Sequence, residues 1–124
     1  MLQHVSLETR PADVDAMLAF LALVGFERVE PPGSLRETSA WAERAGTQVH
    51  LLFADDPVVP PSGHAAVVVD DYDATLARLR AAGHPVQPRA EHWGAPRAFV
   101  TAPGGHRVEV MAAAPAGRRC APGR

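Results

Sequence analysis

The sequence predicts an α+β fold: tandem βαβββ modules forming a curved, partly closed eight-stranded mixed sheet with helices on the outer face. Three observations carry this expectation. Asp15-Ala16-Met17-Leu18-Ala19-Phe20-Leu21 matches Asp73-Ala74-Thr75-Leu76-Ala77-Arg78-Leu79 at five of seven places, an offset of 58 that Gly25 and Gly83 also keep. His4 and His64 each open a short apolar run ahead of those segments. Val49-His50-Leu51 and Val108-Glu109-Val110 close the two halves at an offset of 59. The resulting organisation is a single domain, 1–112, made of repeats 2–54 and 63–111 joined by a Pro-rich linker, 55–62, and followed by a disordered tail, 113–124, dominated by Ala, Pro, Gly and Arg.

In order along the chain, residues 2–8 alternate as a strand, with Val5 and Leu7 on one face and His4 and Ser6 on the other. Val14, Met17, Leu18, Leu21 and Val24 recur at helical spacing over 13–24. Asp13 or the segment before it can start this helix, and Gly25 can end it in the left-handed conformation. Residues 26–30 form a short strand stopped by Pro31-Pro32-Gly33, and 37–44 a strand centred on Trp41. Over 47–53, Val49, Leu51 and Phe53 face one way and Gln48, His50 and Leu52 the other. The second half repeats the order: a strand at 64–69, a helix at 73–82, strands at 86–89, 97–101 and 106–111, with His92 to Pro96 as a loop and Ala102-Pro103-Gly104-Gly105 as a turn. His84 and His106 read as exposed turn residues, and Asp70, Asp71 and Asp73 as loop and helix-start acids favoured by the helix dipole.

Composition narrows the function classes. A formal charge of −2 leaves no footprint for nucleic acid or an anionic membrane. No apolar run reaches the roughly 20 residues of a membrane span. No basic-then-apolar leader follows Met1, and the one cysteine, Cys120, lies in the tail; together these favour a cytoplasmic setting.

With the helices covering one face, the opposite face carries His4, His50, His64 and Glu109. These are metal-ligand types at related strand positions, suited to Zn, Fe(II), Ni, Co or Mn. Four such ligands leave two octahedral positions for a substrate with two adjacent oxygens. A carboxylate in the apolar run Val108-Glu109-Val110-Met111 needs a partner; a salt bridge to Arg97 or Arg107 is the alternative to a metal. If Ala98 and Val100 face the helices, Arg97 and Phe99 face the pocket, and the repeat pairs Phe99 with Trp41. These aromatics and Trp93 are candidates to contact a flat substrate, Arg97 to hold a carboxylate, and His50, Glu109 and Glu43 to take part in proton transfer.

His4 at the head of the first strand, Gly63-His64 opening the second half and His106-Arg107-Val108-Glu109 after a Pro-Gly turn resemble the vicinal oxygen chelate superfamily. It includes glyoxalase I, methylmalonyl-CoA epimerase, extradiol dioxygenases, fosfomycin resistance proteins and bleomycin-binding proteins. The resemblance implies that His4, His64 and Glu109 are the two-histidine, one-carboxylate ligand set, and that the protein is a homodimer whose site lies within one chain or, as often in this superfamily, is built from both subunits or from swapped halves. It also implies either a divalent-metal-dependent enzyme acting on a small oxygenated substrate or an antibiotic-binding protein without catalysis. His50 stands where glyoxalase I has a glutamate and the epimerase a glutamine, which removes the proton-abstracting carboxylate of glyoxalase I. The usual Asp-Pro-Asp-Gly before the last strand is replaced by Ala102-Pro103-Gly104-Gly105.

Overall fold

A computed structural model describes residues 1–123. The order is β1 (His4–Thr9), α1 (Val14–Leu23), β2 (Glu27–Val29), β3 (Ser39–Arg44), β4 (Thr47–Phe53), then β5 (Ala65–Val68), α2 (Tyr72–Ala81), β6 (Val86–Arg89), β7 (Arg97–Thr101) and β8 (Arg107–Met111). Single 3-10 turns at Pro11–Asp13 and Gly33–Glu37 precede α1 and β3. Among the described residues no helix is long and apolar enough to cross a membrane.

Among the described residues the eight strands fall into two four-stranded sheets, β1-β4-β3-β2 and β5-β8-β7-β6, with no closed barrel. Each sheet is mixed: its first strand pairs in parallel with its fourth, and the other pairs are antiparallel. Both bounds of α2 lie 58 residues beyond those of α1. The register repeats as well. Trp41 pairs with His50 and Phe99 with Glu109, while Ser6 opposes His50 and Ala66 opposes Glu109. His4 and His64 therefore stand at equivalent places, each two residues before the strand partner of the other candidate ligand in its module.

The helices end alike because the same backbone solution recurs. Gly25 and Gly83 adopt φ of +95° and +87°, and the next amide reaches back five residues, Phe26 N–H to the Leu21 carbonyl and His84 N–H to that of Leu79. This is the Schellman closure, in which the residue after the glycine packs onto the helix. It corrects the reading of His84 as exposed: it takes the place that Phe26 fills in the first module and is half-buried edge-on against Phe20, ring centroids 5.0 Å apart. The helix starts differ. Asp71 caps α2 by accepting from the Ala74 amide at 3.0 Å, whereas Asp13 makes no side-chain cap and the Pro11–Asp13 turn leads into α1.

One apolar cluster spans both modules. Met17, Phe20, Leu21 and Val24 of α1, Leu76 and Leu79 of α2, and Val49, Leu51, Ala98, Val100, Val108 and Val110 from the sheets belong to it. Phe20, outside the periodic set read from the sequence, is fully buried. Reciprocal polar contacts join the modules. His106 Nε2 donates to the Glu8 carbonyl at 2.7 Å, and Arg44 donates to the Val68 carbonyl at 2.6 Å. Glu8 and Val68 are equivalent residues of β1 and β5. His106 is consequently buried, not the exposed turn residue the local sequence implied; its partner comes from the other module, which local pattern cannot reveal.

Candidate functional site

The first half-site rests on strand alternation. β4 turns His50 to the face away from the helices, where its ring lies between two others. Trp41 stacks on it at 3.8 Å and 4° between planes, and His4 at 4.1 Å and 16°. His50 is buried and His4 exposed. His50 Nε2 donates to Gln48 Oε1 at 2.8 Å, and the Gln48 amide nitrogen donates to Glu43 Oε1 at 2.9 Å. The Glu43 carboxylate thus fixes the amide that fixes the imidazole. Burial, and secondarily the neighbouring His4, lower the His50 pKa below its ordinary 6.5. His4 Nδ1 meets Gln3 Oε1 at 2.6 Å, which leaves its Nε2 open.

The second half-site holds His64 and Glu109. His64 Nδ1 donates to the Ser62 carbonyl at 2.8 Å, an arrangement that fixes the tautomer and leaves Nε2 as the free lone pair. That Nε2 lies 3.0 Å from Glu109 Oε1. Two acceptors at this distance call for a cation between them, either a proton or a metal ion. Glu109 is buried, and its other oxygen is 3.6 Å from Arg97. The salt bridge to Arg97 foreseen as an alternative to a metal is therefore present, and it occupies only Oε2. The Phe99 ring stands edge-on to His64 at 5.1 Å.

The donor set of the second half fits a divalent cation: one tautomer-fixed imidazole and one carboxylate, both restrained by neighbours. It supplies two ligands. Among the described residues no three His, Cys, Asp or Glu side chains come together in one chain in a way that could hold a metal. His4 and His50 form one pair, His64 and Glu109 the other.

Of the substrate-contact candidates, Arg97, Phe99 and Trp93 gather at the second half-site, and Trp41 stands at the first. Trp41 is engaged by His50, while Phe99 faces the guanidinium groups of Arg89, Arg97 and Arg107. Trp93 donates its indole N–H to the Ala113 carbonyl at 2.8 Å and stands 5.8 Å from the Arg97 guanidinium. Arg107, read from the sequence as a possible salt-bridge partner of Glu109, lies over Phe99 instead, and Arg89 was missed because strand register, not local pattern, brings it there. A groove of about 270 Å³ runs beside this half-site between Val5, Leu7, His64 and Arg107. A larger hollow of about 360 Å³ lies elsewhere, between Gly25 and Asp71, away from every candidate ligand.

Two mixed sheets, each bearing a helix on one face and ligand-type side chains on the other, define a βαβββ-repeat protein of the glyoxalase kind. The chain belongs to the Glyoxalase/Bleomycin resistance protein/Dioxygenase superfamily, whose family model matches residues 2–110. Its fold is shared with a structure assigned to the glyoxalase family from Bacillus anthracis (TM-score 0.79, 20% identity, covering 90% of this chain and 93% of that one). It is similar also to the fosfomycin resistance protein FosX from Listeria monocytogenes (0.74, 18%, 92% and 93%). A third likeness is to lactoylglutathione lyase from Agrobacterium tumefaciens (0.67, 22%, 90% and 92%). No curated protein matches the chain.

Proposed function

We propose that this protein is a divalent-metal-dependent enzyme acting on a small oxygenated substrate by isomerase, lyase or dioxygenase chemistry, in a site completed by a second copy of the chain. Residues 1–112, with their two repeats, are the working unit, and the setting is cytoplasmic. The carrying observation is the His64–Glu109 pair: an imidazole held through Nδ1 by the Ser62 carbonyl, its Nε2 3.0 Å from a buried carboxylate. His64 and Glu109 would hold the ion from one chain and His4 from its partner, with His50 as a further ligand or a proton-transfer group. The first module's pair lies apart from the second's within a chain, which is why the proposal needs a homodimer.

The bound ion, Zn, Ni, Co, Fe(II) or Mn, would polarise two adjacent substrate oxygens and stabilise negative charge that develops on them. The chain's residues do the rest. Arg97 holds Glu109 Oε2 and limits its rotation. Burial lowers the His50 pKa, which favours the form with a lone pair for a substrate proton, and the Gln48–Glu43 chain orients its ring. Glu43 itself is bound to Gln48, which favours an orienting role over that of base.

A second reading, binding of an antibiotic or other flat ligand without catalysis, is favoured by one observation. His50 stacks between Trp41 and His4, and two near-parallel rings 4.1 Å apart do not converge on one ion. Metal analysis of untagged protein separates the two readings. The enzyme reading predicts about one metal per site in the wild type and loss of nearly all of it in Glu109→Ala, since the protein-held ligands set the affinity. Wild-type protein that neither contains nor takes up Zn, Ni, Co or Fe(II) would leave the binder.

A further inference from the structure

Of the three arginines around Phe99, Arg97 is engaged by its own chain, its Nε donating to the Ala90 carbonyl at 2.8 Å, whereas Arg89 and Arg107 have no ion-pair partner among the described residues. Arg89 of β6 lies directly opposite Arg97 of β7, and like charges directly opposed across an antiparallel pair destabilise it. β8 adds Arg107, on the face of Glu109. The three guanidinium carbons stand 5.5, 5.6 and 4.7 Å from the Phe99 centroid. The equivalent residues of the first module are Pro31, Ser39 and Gln48, all uncharged, so the scaffold does not demand the charge. Among the described residues the cluster has one ion pair, Arg97 with Glu109; neither Arg89 nor Arg107 makes another. A chain with a net charge of −2 thus gathers three cations around one ring. Cation–π attraction at exposed positions is too weak to account for gathering them. A divalent ion at His64 and Glu109 would add positive charge beside the cluster. The adjoining groove is apolar where Val5, Leu7, Pro60 and Ala65 line it and charged where Arg107 does.

We infer that the ligand of this site is a small organic oxyanion, its carboxylate or phosphonate-type group docked on Arg89, Arg97 and Arg107 and its compact apolar body in the groove. The inference names the substrate class of the site proposed above and rests on that reading for the chemistry, while the anion recognition rests on the arginines alone. Planar guanidinium groups match such oxyanions in two-pronged contacts.

Calorimetric titration of the full chain, with and without zinc, against phenylphosphonate, benzoate and neutral benzamide tests it. At least one anion is expected to bind about tenfold or more tightly than benzamide, with affinity falling as salt rises. The double variant Arg89→Gln/Arg107→Gln, which spares Arg97 and both candidate ligands, is expected to lose that preference and retain wild-type zinc content. Preference for phenylphosphonate assigns a dianionic head group, and preference for benzoate a carboxylate. Equal binding of benzamide, absence of anion binding, or an anion affinity unchanged in the double variant would overturn the inference. Retained zinc without anion binding removes this inference alone. Arginine-dependent anion binding by protein that holds no metal removes the metal reading alone.

Discussion

The two modules use one backbone plan for different chemistry. Each places an aromatic ring of its third strand opposite a titratable residue of its fourth, Trp41 opposite His50 and Phe99 opposite Glu109. In the first module the ring is covered by stacked imidazoles, and in the second it is ringed by guanidinium groups beside a carboxylate. The repeat fixes where side chains emerge; the residues at those points decide whether the half-site is neutral or strongly charged. Among the described residues, neither half brings together three ligand-type side chains that could hold an ion by itself.

The comparison is sharpest in the core. Leu21 and Leu79 are equivalent residues, 3% and 0% exposed, in a cluster shared by both modules. Replacing either with Ala is expected to cost about 2–5 kcal/mol, read from urea unfolding, and each variant should still melt in one transition. Two separate transitions would break the equivalence and make the modules independent. A smaller difference is expected at the helix ends. Gly25→Ala should cost more than Gly83→Ala, which should cost about 1–2 kcal/mol for left-handed backbone. Both glycines have positive φ, but an added Cβ at Gly25 would meet the Arg44 side chain at 3.2 Å, while nothing stands within 4 Å at Gly83.

The smallest effect is in pH dependence. Because the folded His50 has a pKa below 6.5, the unfolded chain takes up a proton that the folded one refuses as the pH drops below that value. The corresponding stability is complete above about pH 6.5 and is lost as pH falls toward the folded pKa. Wild-type protein should therefore lose more stability between pH 7 and pH 5 than His50→Gln, measured by thermal melting in parallel buffers. Equal slopes would show that burial of this ring is not felt in solution.

Much of the fold was legible because its signals are local. The alternation of Val49, Leu51 and Phe53 marks β4, the helical recurrence of Val14, Met17, Leu21 and Val24 marks α1, and Gly25 and Gly83 mark the ends of both helices. The division of the strands into two four-stranded sheets, each backed by a helix, was legible from the same repeat of strand, helix and three strands. His106 was misread because its partner is a carbonyl of the other module, and contacts between modules depend on how they pack and not on either one's pattern. The residues on the ligand-bearing face could be named from alternation, but their employment could not. That Trp41 would stack on His50, or that Arg89 would join Arg97 and Arg107 over Phe99, is decided by strand register.

The central claim is that two chains complete one metal site, and a mixing experiment tests it directly. His4→Ala and Glu109→Ala are each expected to hold almost no metal when purified alone. After the two are unfolded and refolded together in equal amounts, half of the dimers combine one chain of each kind, and one of the two sites in each such dimer is whole. About a quarter of the wild-type metal content should return. A mixture as empty as its components would contradict a site shared between copies.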